Sequence, residues 1–361
     1  MKKNFLIRWM MISIIASFAG IWPEIAAAQD ATTFFNLGTN YLRVGKPDQA
    51  IGELNNAITI LKSSSPIPDE DKKRLAEAYN NLGLAYYEKK DYPTAQLKFW
   101  EAYLKNPSDT KILSNYALSF YVQGNYSSAI SWYENAINQS EGDETYLADV
   151  YNNLGVCYAN KPSPNFVEAE KNYSNAIDIT EEKNLDYTDA YYNRGNLFYN
   201  QGNDLKWQAK QSEAIIKFNQ AISDYTVTIN FYKNAKDLEG FPDAYHNAYY
   251  NRGLCKYDKG QYNEAIPDYE KAIELNPGFM WAYYAKGYAH FMMDEYDKAS
   301  QEFTKVLNSD LDSYARYGMG VVFAQKGQGE EALIYLNESC DSGNTWACDA
   351  LTDNYKDLGQ L

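Results

Sequence analysis

The sequence predicts an all-α protein built from helical hairpins, and three observations indicate this fold class. Apolar residues recur three, four and seven positions apart, as on one helical face, and no useful stretch alternates as a strand would. Short turns containing glycine or proline separate these stretches. A small residue also recurs, and three of its seven spacings fall within one residue of 34. These small residues are Gly38, Gly83, Ala117, Gly155, Gly195, Gly253, Gly287 and Gly320.

Residues 246–279 show the pattern most clearly and define its two helices. Tyr249 and Gly253 share one face of the first predicted helix, and Ala265 and Tyr269 share one face of the second. A glycine inside a helix costs roughly 0.5–1 kcal/mol relative to alanine. We therefore expect the two helices to cross closely at Gly253, with Ala265 as the small residue on the facing helix.

The recurring pattern resembles the tetratricopeptide repeat (TPR). In most copies a large apolar or aromatic residue precedes the small residue by four positions, a ring follows it by three, and alanines mark the second helix. The resemblance implies a right-handed α-solenoid of about eight hairpins within residues 29–345, then a capping helix and tail over 346–361. The implied repeats cover about 31–64, 76–109, 110–143, 148–183, 188–238, 246–279, 280–312 and 313–345.

The first 28 residues differ from the rest and are typical of a signal peptide. Basic residues precede an apolar run from Trp9 to Ile21, and Ala26, Ala27 and Ala28 follow as a small-residue cleavage site. We expect cleavage after Ala28, a periplasmic or secreted mature protein, and no stable membrane insertion afterwards. The alternative is an uncleaved membrane anchor.

The fifth repeat is irregular. Few helix breakers occur between residues 203 and 237, which predicts an unusually long second helix in one of two registers. In the regular sixth repeat, Asp268 is predicted to pair with Arg252, because it lies where the second helix faces that arginine. If Arg194 has an equivalent partner, that partner is Asp224, which favours the later register.

The four cysteines form two groups. Cys157 and Cys255 lie two residues after a repeat glycine and are interpreted as buried apolar residues. On one continuous helix Cys340 and Cys348 would lie about 12 Å apart, but residues 341–344 form a predicted turn. The stretch 340–355 resembles the Sel1-like repeats of secreted bacterial proteins. That resemblance implies a disulfide bond between Cys340 and Cys348 in an oxidising compartment.

Charge and motifs argue against several functions. A formal net charge of −15 over 361 residues repels phosphate backbones, so nucleic acid is a poor partner. His290 takes the ring position three after Gly287 and is interpreted as a core residue, and His246 has no acid or nucleophile at useful spacing. No Walker loop, GxSxG or HExxH motif occurs. We therefore expect no enzyme activity, no metal site and no cofactor. Protein or peptide partners remain.

An asparagine recurs two positions before the small residue in six consecutive repeats. The six are Asn36, Asn81, Asn115, Asn153, Asn193 and Asn251. An amide both donates and accepts, so it can bind the N–H and C=O groups of an extended peptide of any sequence. In superhelical TPR proteins an asparagine row at this position does so, and the resemblance implies the same role here. The alternative is that these side chains only cap local backbone.

Aromatic residues accompany the asparagine row on the predicted concave face. Tyr192, Tyr250 and Tyr284 are predicted to contact a bound peptide, because rings give large contact area at little entropic cost. The alternative is that they only pack helices together. The carboxylate-clamp type of TPR needs Lys and Arg at these positions, and they are nearly absent here. We therefore expect no binding of free acidic C-termini.

Two functional hypotheses follow. The first is an exported non-enzymatic scaffold that holds partner proteins or extended peptides in its concave groove. The second is a structural assembly subunit of a cell-envelope complex, which would dock through its convex face and loop insertions.

Overall fold

A computed structural model describes residues 30–63, 66–140, 146–183, 188–234 and 243–353. Every regular element in these ranges is a helix, which confirms the predicted all-α class. The predicted signal segment, residues 1–28, lies outside the described ranges, so the signal peptide and its cleavage stay predictions. The chain divides into two units, residues 1–184 and 185–361.

The first unit is a row of four helical hairpins. Its helices are α1 (30–43), α2 (Pro47–Leu61), α3 (Asp69–Glu88), α4 (Tyr92–Tyr103), α5 (Thr110–Tyr121), α6 (Tyr126–Gln139), α7 (Leu147–Asn160) and α8 (Phe166–Lys183). Each helix packs against the next along the chain. The first helices of successive hairpins also touch, α3 against α5 and α5 against α7. Contacts between near neighbours in sequence are typical of stacked repeats.

The second unit repeats this arrangement and adds one helix. Its helices are α9 (Asp189–Trp207), α10 (Gln211–Asn234), α11 (Asp243–Asp258), α12 (Tyr262–Leu275), α13 (Met280–Phe291), α14 (Tyr296–Val306), α15 (Asp312–Gln325), α16 (Gly329–Asp341) and α17 (Thr345–Asp353). Contacts between α9 and α11, α11 and α13, and α13 and α15 bring the first helices of successive hairpins together.

In most hairpins a large side chain of the second helix covers the small residue of the first. A methyl group placed on Gly253 would lie 2.6 Å from Cε1 of Tyr269, and one on Gly83 would lie 2.5 Å from Cε1 of Phe99. Real side chains do not approach so closely, so a methyl group at either position would require the ring or the helices to shift. The close approach expected at Gly253 is confirmed, and the nearest side chain of the facing helix is Tyr269. Ala265 is buried, but the Tyr269 ring comes nearest and fills the space that the missing side chain leaves.

The turn between the two helices uses a left-handed residue, which lies seven positions after the small residue except in the fifth hairpin, where Ala209 lies fourteen positions after Gly195. The residues with φ between 59° and 78° at this place are Gly45, Lys90, Gly124, Ala209, Gly260, Asp294 and Gly327. The left-handed conformation is unstrained for glycine and unfavourable for residues with a Cβ. Four of these hairpins therefore use glycine, while the other three accept some strain.

The fifth hairpin, formed by α9 and α10, carries a second glycine–ring contact seven residues beyond the first, between Gly195 and the turn. Tyr225 covers Gly195, as in the later of the two predicted registers, and Phe218 covers Gly202, as in the earlier one. The hairpin therefore uses both registers, one nearer its turn than the other. The added length is about 10 Å, or two helical turns. The prediction of a long second helix is confirmed for α10, which has 24 residues. The prediction missed the turn at 208–210, because Ala209 is not a residue that signals a left-handed conformation.

The two predicted arginine–aspartate pairs are confirmed. Arg252 donates to both carboxylate oxygens of Asp268 at 2.6 and 3.0 Å, and Lys256 joins the same carboxylate at 2.7 Å. Arg194 donates to Asp224 in the same two-point manner at 2.8 and 2.9 Å. Both carboxylates are buried, so each needs its partner to balance the loss of hydration.

The cysteines pair as predicted. Cys340 and Cys348 form a disulfide bond with their Cα atoms 4.9 Å apart, which ties the end of α16 to α17. Cys157 and Cys255 are reduced and buried. Burial raises the pKa of the Cys157 thiol to about 12, so it is uncharged and unreactive near neutral pH.

Candidate functional site

In the first unit the predicted asparagine row links neighbouring hairpins. Asn81 Nδ2 donates to Thr39 Oγ1 at 3.0 Å, and Asn115 Nδ2 donates to Asn80 Oδ1 at 2.8 Å. Both acceptors belong to the preceding hairpin. No described residue donates to the carbonyl oxygen of Asn81 or Asn115. Each amide therefore fixes one hairpin against the next and keeps an acceptor for another group.

The other four asparagines have different surroundings. Asn251 Nδ2 donates to Asn196 Oδ1 at 3.0 Å and to the Tyr192 hydroxyl at 3.3 Å, which again joins neighbouring hairpins. Asn153 and Asn193 are half-buried. Asn36 is exposed on α1, which has no preceding hairpin among the described residues. The six positions thus share a place in the repeat but not a common environment.

A polar cleft of about 640 Å³ lies in the first unit. It is lined by Phe35, Thr39, Lys73, Glu77, Asn80, Asn81, Asn106, Ser108, Asp109, Thr110, Lys111, Ile112, Gln139, Ser140 and Tyr146. Side chains from the first helices α1, α3 and α5 contribute most of the lining. The cleft therefore offers amide, hydroxyl and charged groups of both signs on a surface shared by three successive hairpins. Among the six predicted asparagines, Asn81 contributes to it.

A second, smaller cavity of about 170 Å³ lies in the second unit, and we call it the tyrosine pocket. Its lining consists of Tyr250, Leu254 and Tyr257 of α11, Tyr269 of α12, and Trp281, Tyr284, Ala285 and Tyr288 of α13. Six of these eight side chains are aromatic, and none is charged. The sequence-predicted Tyr250 and Tyr284 come together here, whereas Tyr192 lies in the preceding hairpin against Asn251.

The rings of the tyrosine pocket are held in place by one another. Trp281 packs edge-on against Tyr284, and Tyr284 against Tyr288, with ring centroids 6.0 and 4.9 Å apart. Burial raises the pKa of Tyr250 and of Tyr257 to about 12. These hydroxyl groups are therefore protonated near neutral pH and can donate hydrogen bonds.

Three segments of the chain match models of one repeat family. Family models described as "Tetratricopeptide repeat" match residues 80–144, 246–279 and 268–301. The chain contains tetratricopeptide repeats. The matches fall in both units, and each includes a glycine that a ring covers, namely Gly83, Gly253 or Gly287.

Two curated plant proteins are similar to this chain. It is 27% identical over 251 residues to Hsp70-Hsp90 organizing protein 2 of Arabidopsis thaliana, and 28% identical over 253 residues to Hsp70-Hsp90 organizing protein of Triticum aestivum. Each alignment covers 63% of this chain but only 41% and 40% of those relatives. The chain therefore spans about two fifths of their length. The crystal structure of BtubC (BKLC) from P. vanneervenii has a similar fold, with a TM-score of 0.50 at 16% identity over 64% of this chain and 91% of that one.

The rings of Tyr269, Trp281 and Tyr288 line the tyrosine pocket but are absent from the sequence prediction of the TPR surface. Tyr269 takes the ring position over Gly253, so the repeat pattern predicts a residue of the hairpin core and gives no sign that it also lines a cavity. Trp281 and Tyr288 had a usable signal, since residues 280–288 contain four rings in nine positions. That density exceeds what one hairpin needs for its core.

No three His, Cys, Asp or Glu side chains of the described residues are arranged to hold a metal ion. None of the described helices combines the length and the hydropathy needed to cross a bilayer.

Proposed function

We propose that this chain is a non-enzymatic TPR scaffold that holds partner proteins through extended segments laid along its first helices. The observation that supports this most directly is the polar cleft of the first unit, in which Asn81 lies between neighbouring hairpins and keeps a carbonyl acceptor. A peptide in extended conformation presents N–H groups at regular intervals, so acceptors on successive first helices can bind it whatever its sequence.

Charge and similarity favour the same kind of partner. A net charge of −15 disfavours nucleic acid and favours basic or neutral polypeptides. The similar plant proteins are named as organisers of two other proteins, which fits a scaffold role. No metal or cofactor is part of the proposal.

Export to the periplasm or beyond is the second part of the proposal, and it depends on the pattern of residues 1–28. The Cys340–Cys348 disulfide fits an oxidising compartment. Expression in a bacterial host followed by fractionation and N-terminal sequencing should give a periplasmic chain that begins at Gln29. A cytoplasmic chain that retains Met1 would contradict export.

The scaffold role is tested by changing Asn81, Asn115 and Asn153 together to Ala. We expect the triple variant to capture fewer partners from the envelope fraction of its own cell than the wild type does. A matched control changes Asn56 and Asn138, which are exposed on the second helices α2 and α6. Circular dichroism must show that all variants remain folded at the assay temperature. Equal capture by the triple variant and the wild type would count against the asparagine row.

A second candidate function is an assembly subunit, and one observation favours it. Trp207 is 90% exposed at the end of α9, at the tip of the lengthened hairpin. Exposed tryptophans are common anchors of protein interfaces. Changing Trp207 to Ser should release the chain from a native envelope complex, while the same change at Val167, which is 76% exposed on α8, should not. Unchanged assembly of the Trp207 variant would reject this function.

A further inference from the structure

Three hydroxyl groups of the tyrosine pocket are buried without a hydrogen-bond partner. They belong to Tyr269, Tyr284 and Tyr288, and no described residue meets hydrogen-bond geometry with any of them. The rings of Tyr284 and Tyr288 touch edge to face and their hydroxyl groups interact electrostatically, but the two groups do not meet hydrogen-bond geometry. A buried hydroxyl that finds no partner loses its hydration without replacement, so proteins rarely leave several in one place.

A neighbouring hairpin shows what a satisfied tyrosine looks like in this fold. Tyr225 covers Gly195 as Tyr269 covers Gly253, and both side chains are fully buried. The Tyr225 hydroxyl donates to Asn196 Oδ1 at 2.8 Å. The repeat architecture can therefore supply a partner at this level of the hairpin. Its absence at Tyr269, beside two further unpaired hydroxyls, distinguishes the pocket from ordinary core.

The size and lining of the pocket restrict what can fill it. Its volume of about 170 Å³ is close to the roughly 150 Å³ cavity that admits a benzene-sized molecule. One ring-sized group therefore fits. The lining contains no charged side chain, and Trp281, 42% exposed, is its most accessible aromatic member. The occupant must combine a compact apolar body with acceptors for the hydroxyl protons.

We propose that the tyrosine pocket binds a proline of a partner's proline-rich segment, in the polyproline II conformation. This inference rests on the proposed function and names the class of partner for the second unit. A prolyl residue carries an apolar ring and no N–H group, and the carbonyl groups of a polyproline II helix have no internal partners. Aromatic grooves are the surfaces that bind such segments. The net charge of −15 favours basic residues on either side of the prolines.

Fluorescence anisotropy with a defined peptide tests the proposal. The probe is a fluorescein-labelled peptide of six prolines between two pairs of lysines, titrated with the full mature chain. One comparison peptide replaces the prolines with alanine, and a second replaces the central prolines with leucine. We expect the proline peptide to bind at least tenfold more tightly than either. Equal binding of the leucine or alanine peptide would overturn the assignment to proline.

Tyrosine-to-phenylalanine variants remove the hydroxyl and keep the ring. Tyr284→Phe and Tyr288→Phe should each weaken binding of the proline peptide about 3- to 10-fold. Their melting temperatures should equal or exceed that of the wild type, because the lost hydroxyl makes no hydrogen bond of good geometry in the free protein. Tyr225→Phe is the matched control, and it should lower the melting temperature, since its hydroxyl is bonded, but leave peptide affinity unchanged.

The two proposals fail in different ways. This inference would be overturned if the proline peptide does not bind. It would also be overturned if both phenylalanine variants bind the peptide as tightly as the wild type does. Loss of partner capture in the Asn81, Asn115 and Asn153 variant would still support the scaffold role in that case, because those residues lie in the first unit. If that variant captures partners normally while binding of the proline peptide depends on the tyrosine hydroxyls, the peptide-binding role of the asparagine row is rejected and that of the tyrosine pocket is supported.

Discussion

Replacing Gly253 with alanine tests the glycine–ring contact that closes the sixth hairpin and several others. The added methyl group would lie 2.6, 2.9 and 3.2 Å from three atoms of the Tyr269 ring. That ring is fully buried and packs against Tyr250 with centroids 6.0 Å apart, so it cannot move without displacing a neighbour. Either the ring shifts or the two helices separate.

Two effects of opposite sign determine the size of the change. Removing a glycine from inside a helix stabilises it by roughly 0.5–1 kcal/mol. Overpacking a filled core destabilises it by about 1–3 kcal/mol. Gly52 separates the two, because it lies inside α2, is exposed, and has nothing within 4 Å of an added methyl group. Gly52→Ala should therefore show the gain alone, and the two variants should differ by about 1–3 kcal/mol.

The third hairpin indicates that the difference in stability between Gly253→Ala and Gly52→Ala should lie near the lower end of that range. It carries Ala117 where the others have glycine, and Tyr133 follows at the same spacing of 16 residues, both buried. A hairpin can thus accept a methyl group once its helices have adjusted. The assay is urea denaturation followed by circular dichroism, with amide hydrogen exchange to locate the effect in α11 and α12. Equal stabilisation by Gly253→Ala and Gly52→Ala would refute the close-contact argument.

Three further predictions concern charge, covalent linkage and pH. Asp268→Ala leaves Arg252 and Lys256 without their shared carboxylate and should lower the free energy of unfolding by about 3 kcal/mol. The control Asp297→Ala removes a carboxylate that is 84% exposed and should change the free energy of unfolding by less than about 0.5 kcal/mol. Similar urea midpoints for the two variants would contradict this prediction. Reducing the Cys340–Cys348 bond should destabilise the C-terminal end by about 2–3 kcal/mol and speed hydrogen exchange in α16 and α17 only, and unchanged exchange there would count against it. Burial raises the pKa of Tyr269 well above that of a free tyrosine, so the folded state holds this proton after the unfolded state has lost it. The contribution of Tyr269 to stability should therefore be constant below about pH 10 and fall above it. Absorbance at 295 nm should then show buried tyrosines ionising together with the loss of helical signal, and complete ionisation of a fully helical protein would disprove the assignment.

Sequence by itself determined the features that depend on local or repeated patterns. Helical periodicity and the recurring small residue predicted the hairpins, because both arise from contacts between residues close in sequence. The same regularity predicted the Arg252–Asp268 pair, since once a hairpin's register is known, residues 16 positions apart face each other. Transferring that register to the fifth hairpin also predicted the Arg194–Asp224 pair.

Tertiary structure alone decided what lies between helices and between hairpins. The direction in which α11 and α12 cross makes Tyr269, rather than Ala265, the nearest neighbour of Gly253, and spacing along one helix does not contain that direction. The six asparagines are equivalent in sequence, yet Asn81 lines a cleft while Asn36 is exposed. Likewise, the unpaired hydroxyls of the tyrosine pocket result from the way α13 packs on α11 and α12. These contacts depend on how whole helix surfaces fit together, which no single repeat encodes.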